Sequence, residues 1–206
     1  MTKSIEYVAI DFETTGLFPN RDRVVEIGCV KFSKENDFVS EWETLVNPLR
    51  DVGPSDIHGV TPTLLRDAPK FGEIAPALAR FLQGCVLVAH NKNFDLRFLI
   101  AEFERVGIDI RETDALCTME LFSSCFPRGP RKLSQCCEFL GMDVVGAHEA
   151  LSDARMAANI AKHILRNHGY PVTPNEVRFS KKFIQLGAAD PHPRTRALEA
   201  NLKERH

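Results

Sequence analysis

An α/β layer fold on a mixed sheet is predicted by three observations. The chain opens with a meander of strand-like runs, it then alternates apolar strands with amphipathic helices, and its longest helical segment is alanine-rich. A length of 206 residues allows one domain with a substantial core. An apolar content of 44% beside 26% charged residues places the chain among soluble globular proteins.

The elements follow in order. Residues 5–12 form the first strand, with YVAIDF leading into the turn-like ETTG. Val24–Phe32 and Phe38–Val46 read as two more strands, joined as a hairpin across the polar SKEN. Asn47–Pro62, rich in Pro, Gly and Asp, reads as a loop with short helical turns. Phe71, Ile74, Ala75, Leu78, Phe81 and Leu82 recur at helical spacing, and Gly84 stops that helix. Val86–Ala89 is a short, wholly apolar strand. Asn93–Val106 is a helix capped by Asn93 and stopped by Gly107. Cys117–Phe122 and Leu133–Leu140 are two shorter helices, the second ending at Gly141. Glu149–Leu165 is the alanine-rich helix, with a stripe at Ala150, Leu151, Ala154, Ala158, Ala161 and Leu165. Beyond it, Thr173-Pro174-Asn175-Glu176 has the form of a capping box with Pro at the first helical position, so another helix is expected to start there.

A formal net charge of −2 excludes a global basic field, so any nucleic acid must be held locally. Residues 167–206 hold seven Lys or Arg against four acids, which leaves −5 on residues 1–166. The six cysteines include no C-x-x-C pair and read as reduced, buried thiols. No apolar leader or membrane-length run is present, and a cytoplasmic location is expected.

Charge and structure conflict at four acids. Side chains alternate along a strand, so Asp11 and Glu13 point to the same face at the end of an apolar run. Two adjacent carboxylates there repel and lose hydration, and a hard divalent cation with oxygen ligands relieves both costs. Asp95 falls in the first turn of the helix after VLVA, and Asp153 falls early in the alanine-rich helix, five residues after His148. Singly, each has an ordinary reading as a strand-end acid, a helix cap or a surface histidine.

Together, AIDFETTG, VAHNKNFDLRFL and HEALSDARMAA resemble the three exonuclease motifs of the DEDD superfamily, in its histidine-bearing branch. That branch includes the proofreading epsilon-type subunits of bacterial DNA polymerase III. The resemblance covers roughly residues 5–166, including the linking segment NPLRDVGPSDIHGVTPTLLRDAP. It implies a ribonuclease H-like fold, a five-stranded mixed sheet flanked by helices. It further implies that Asp11, Glu13, Asp95 and Asp153 bind two Mg²⁺ or Mn²⁺ ions and that His148 is the general base. Thr14, Thr15 and Gly16 would form a turn whose backbone approaches the terminal nucleotide, and Leu17 would lie near the terminal bases. Asn91 would orient Asp95 or contact the substrate. His58 would shape the rim or hold its own loop, and Phe94 would contact substrate or join the core. Two departures from the commoner pattern are Lys92, where many relatives have a small residue, and Glu149, where they often have Arg.

The reaction so implied is 3′→5′ hydrolysis of single-stranded or frayed DNA ends. RNA trimming uses the same chemistry, and a non-catalytic nucleic-acid-binding module would keep the fold without the acids. Residues 1–168 are expected to form the exonuclease domain and residues 169–206 a helical C-terminal extension. Through that extension the chain would contact a DNA polymerase subunit, a second copy or nucleic acid, with no membrane involved.

Overall fold

The computed structural model describes residues 5–35, 38–111, 114–146, 148–168 and 175–179. Its centre is a five-stranded sheet. Strands β1 (Glu6–Thr14), β2 (Val24–Ser33) and β3 (Phe38–Leu45) form the expected antiparallel meander. Strands β4 (Val86–Ala89) and β6 (Ala115–Cys117) add to it in parallel, in the order β3-β2-β1-β4-β6. The mixed five-stranded sheet is therefore present. The predicted loop after β3 contains two short helical turns, α1 (Ser55–His58) and α2 (Pro62–Leu65).

The period of two along β1 divides the molecule into layers. Val8, Ile10 and Phe12 face one core, built with α3 (Phe71–Leu82) and α4 (Lys92–Arg105). Tyr7 and Ala9 face the other, under the alanine stripe of α7 (Ala150–Asn167). Asp11 and Glu13 share the parity of Tyr7 and Ala9, so they lie on the face that α7 covers. Alanines suit that layer because small side chains let a helix backbone settle close to the sheet. At Gly28, which pairs with Asp11, a Cβ would stand 2.2 Å from the backbone carbon of Ala150. Only a glycine admits this approach. A third layer, α5 (Thr118–Cys125) and α6 (Leu133–Phe139), packs on the outer side of α7 through Phe122, Cys136, Cys137, Met156 and Ile160. No described helix is long and apolar enough to cross a membrane. All six cysteines are free, five of them buried.

Several element boundaries depart from expectation. The helix expected from Cys117 starts at Thr118, because Ala115–Cys117 is the fifth strand. The N-cap of α4 is Asn91 rather than Asn93, and its side chain makes no capping bond. The largest departure lies beyond α7. Residues 175–177 are irregular and Arg178–Phe179 is a strand, β7, paired antiparallel with β5 (Ile110–Arg111). The capping-box helix is absent from this stretch, and its Thr173 and Pro174, like residues 180–206, lie outside the described residues. Tertiary pairing overrides the local signal: Val177 exchanges backbone bonds with Gly84 (3.0 Å) and Cys85 (2.9 Å), and Phe179 packs on Phe103 with ring centroids 5.0 Å apart. Val177 and Phe179 belong to the main core, so the compact body extends past residue 168.

Candidate active site

Strand β1 ends at the carboxyl edge of the sheet, where its ladder with β2 is irregular. The register passes from Glu13↔Glu26 to Thr14↔Val24, which leaves Val25 as an extra residue, a bulge beside the acids. One carboxylate oxygen each from Asp11, Glu13 and Asp153 lie within 4.8 Å of one another. Two come from alternate positions of one strand and the third from the first turn of α7, brought down by the contact over Gly28.

Asp95 reaches the same region by another route. It lies in the first turn of α4 on the opposite face of the sheet, is buried, and accepts a hydrogen bond from the backbone N–H of Phe12. It stands outside the tight trio but close enough for its charge to act on Asp11. A fifth acid joins them that the motifs do not reveal. Glu26 is fully buried, sits opposite Glu13 on β2, and also acts on Asp11. Its signal in the sequence was parity: Glu26, Gly28, Val30 and Phe32 share one face of β2, the face that α7 covers.

Burial and mutual repulsion push the carboxyls of Asp11, Asp95 and Asp153 up. Desolvation is the largest cause for Asp11, with the charges of Asp95, Asp153, Glu13 and Glu26 adding to it. Desolvation raises Asp95 from 3.8 to about 8, despite the opposing backbone hydrogen bonds. Asp153 is raised by burial, while a hydrogen bond from the backbone of His148 and the charge of its imidazole pull the other way. Its Oδ1 is a buried oxygen with no hydrogen-bond partner among the described residues.

These features fit a divalent cation. The donors are all hard carboxylate oxygens, three converge at coordination spacing, one is orphaned, and Asp11, Asp95 and Asp153 are each shifted toward neutrality when no cation balances them. A pH dependence follows from the sign of the shifts. The folded protein holds these protons more tightly than the unfolded chain, so their stabilising effect is full below the ordinary carboxylate range. It is lost as pH rises toward about 8. The melting temperature of the EDTA-treated protein is therefore expected to fall between about pH 5 and pH 8, and added Mg²⁺ or Mn²⁺ to raise it most at the upper end. A melting temperature indifferent to pH and to metal would count against a cation site.

His148 lies two residues before α7. It is exposed and has φ of 71°, a left-handed conformation that histidine adopts more readily than most residues. The turn closes through Glu149 N–H donating to the Gly146 carbonyl (3.2 Å) and Asp153 N–H to the Glu149 carbonyl (3.0 Å). With the His148 backbone held by the Asp153 carboxylate, the imidazole stays beside the acids without joining them.

The residues after β1 form a loop sealed by Asp22. Its carboxylate accepts from Phe18 N–H (2.9 Å) and from the Thr15 hydroxyl (3.4 Å), and a Cβ on Gly16 would stand 2.5 Å from it. Thr14 donates its hydroxyl to the Gly16 carbonyl (2.7 Å). The Thr14 and Thr15 hydroxyls thus serve the loop. Leu17 is 69% exposed and Phe18 53%, so the loop presents an apolar lip. The foot of the loop is tied to α4: buried Glu102 takes two bonds from Arg23 (2.8 and 2.9 Å) and one from Val24 N–H (3.2 Å).

His58 lies inside its loop. It is buried, its Nδ1 accepts from Val60 N–H (3.1 Å), and it holds its loop from inside. Phe94 is half-buried and packs on Phe98 with ring centroids 4.9 Å apart, so it belongs to the edge of the core. Asn91 is exposed at the start of α4. The Lys92 ammonium lies 3.5 Å from Asp114 and 3.9 Å from Glu120, which engages it within the chain.

Comparison with known proteins bears on this geometry. The profile of the exonuclease family RNase_T matches residues 8–161. The DNA polymerase III subunit epsilon of Treponema pallidum is 33% identical over 190 residues, covering 88% of each chain. A PolC-type DNA polymerase III of Thermotoga petrophila is 37% identical over 157 residues, 75% of this chain but only 11% of the polymerase. Among solved structures, Escherichia coli Exonuclease I in complex with a dT13 oligonucleotide superposes with a TM-score of 0.71 at 18% identity, over 80% of this chain and 42% of that one. The nuclease domain of 3'hExo, described as a DEDDh family member bound to rAMP, superposes at 0.67 with 19% identity, over 87% of this chain and 98% of that one. These structural likenesses establish the fold.

Proposed function

We propose that this chain, which belongs to the RNase_T exonuclease family, hydrolyses single-stranded or frayed DNA from the 3′ end and releases nucleoside 5′-monophosphates. The observation that carries the reading is the convergence of Asp11, Glu13 and Asp153 on the α7 face of the sheet, with His148 held beside them.

Asp11, Glu13 and Asp153 would hold two divalent ions, Mg²⁺ or Mn²⁺, with Asp95 completing the set from the sheet edge. Bound there, such a pair supplies an activated water and charge stabilisation at the departing oxygen. Water attacks the terminal phosphorus, the bond from phosphorus to the preceding 3′-oxygen breaks, and that oxygen leaves with a proton as the new 3′-hydroxyl. His148 accepts the proton that the attacking water gives up. Its exposure suits a group that must return the proton to solvent each cycle. The apolar lip at Leu17 and Phe18 would support the terminal bases, and the Thr14–Gly16 backbone would line the terminal nucleotide.

The test uses 5′-labelled single-stranded DNA, a mismatched duplex and the matching RNA, with Mg²⁺, Mn²⁺ or chelator. Shortening from the unlabelled end, abolished by EDTA, is expected. Preference for RNA would move the substrate to the exoribonuclease alternative, and EDTA-resistant degradation would end the metal reading. His148→Ala is expected to lower kcat by about 10²–10⁴-fold and to change the acidic limb of the pH–rate profile, with metal affinity preserved. Unchanged rates across the profile would remove His148 from the mechanism. Likeness to the Treponema epsilon subunit over most of both chains supports a further proposal, that the chain proofreads beside a polymerase in the cytoplasm.

A further inference from the structure

We propose that the loop between α5 and α6 is a binding strip for the phosphate backbone of the single strand upstream of its reacting 3′ end. The inference rests on the exonuclease reading. It adds residues outside the acidic site and outside the loop after β1.

The loop carries Arg128, Arg131 and Lys132, all exposed, and none makes an ion pair among the described residues. Three unneutralised cations within five residues stand out on a body whose charge is −5 over residues 1–166. Their position relates them to the site. His90 follows β4 at the carboxyl edge of the sheet, where ligands of open α/β sheets bind. One of its ring nitrogens lies 2.9 Å from the Thr118 hydroxyl at the start of α5, the other 2.7 Å from the Arg131 carbonyl. Thus α5 leaves the edge at His90, travels about 12 Å over its eight residues, and the loop returns to the same histidine. Arg131 and Lys132 lie at the near end of that path and Arg128 toward the far end.

The path is also built to keep its shape. The Arg131 carbonyl is held by His90, the Pro130 carbonyl accepts from Cys136 Sγ (3.4 Å), and Gly129 N–H donates to the Phe126 carbonyl (2.9 Å). A Cβ on Gly129 would stand 2.7 Å from the Phe122 ring. With the carbonyls tied inward, the loop loses little freedom when its cations meet phosphates. At the far end a groove of about 360 Å³ is lined by Phe126, Pro127, Arg128, Gly129 and Phe139, and Phe139 is 54% exposed. An aromatic face beside an arginine is the pairing that single strands use for base stacking along a charged track. This favours a nucleic-acid strand over an acidic protein as occupant.

The experiment compares the full chain with the R128Q/R131Q/K132Q variant. Fluorescence anisotropy with chelator present measures affinity for a labelled single strand of about twenty nucleotides, so nothing is cleaved. Without these three cations to meet phosphates, the variant is expected to bind roughly tenfold or more weakly, and its log–log salt slope to be shallower by about 2. With metal added, KM should rise for the long strand while kcat holds. Hydrolysis of a dinucleotide, too short to reach the loop, should keep its wild-type rate. Wild-type affinity and salt slope in the variant would overturn the proposal and return the loop to a protein partner, and so would an equal loss on the dinucleotide. Should the wild-type chain hydrolyse neither substrate, the exonuclease reading fails by itself, and the anisotropy still decides the loop.

Discussion

Asp11→Asn and Asp153→Asn are each expected to lower 3′-end hydrolysis by roughly 10³–10⁵-fold, the scale at which members of a catalytic unit fail. The metal-free protein should meanwhile melt no lower than wild type. The two halves of this prediction come from one cause. Asp11 is repelled by four other acids and is largely desolvated, so its charge opposes the fold unless a cation balances it. An amide of the same size removes that charge and also removes a ligand. Activity and stability therefore separate, as they do not for an ordinary core residue, whose loss lowers both. The measurement is a rate on labelled single strands beside thermal melts with EDTA and with Mg²⁺. The variants should also lose most of the stabilisation that metal confers. A melting temperature that drops sharply in EDTA would make these acids structural.

A chain ended at His168 is expected to lose about 3–6 kcal/mol relative to one ended at Phe179, because Val177 and Phe179 are each a fully buried apolar side chain. That is a large fraction of the stability of an ordinary domain. Backbone bonds of Val177 to Gly84 and Cys85 would be lost as well, which exposes the turn between α3 and β4. Since β4 leads directly to Asp95, activity should fall with the fold. Urea unfolding of the two shortened chains compares them directly. Equal midpoints would show that residues 169–179 are dispensable and that the boundary read from the sequence at residue 168 is right.

The difference between those two boundaries shows where local information ends. A capping box at 173–176 is a true local preference, but it contributes about 1 kcal/mol. Seating Val177 and Phe179 in the core outweighs it, and that core is assembled from residues between Val8 and Ala115, far away in the chain. The same holds for Ala115–Cys117. Three residues are too few to show a period, and only β4 alongside makes them a strand. His58 is buried and holds Val60 N–H, an arrangement that no local pattern around it announces.

By itself the sequence determined the α/β class, the opening meander, β4 and the main helices through α7, and the placing of Asp11 and Glu13 on one face. Each is a local periodic property: two residues per strand repeat, 3.6 per helical turn. The motifs also singled out Asp95, His148 and Asp153 as partners of that pair. Periodicity does not say which face a helix will cover or how closely it will lie. Only the tertiary structure decided that α7 descends over Gly28 to bring Asp153 to Asp11 and Glu13. The structure alone also holds Asp95 to the sheet edge through Phe12, and turns Glu26 inward as a fifth acid. The reason is physical. The cost of gathering these charges depends on distances and burial between segments far apart in the chain, and those exist only once the layers have packed.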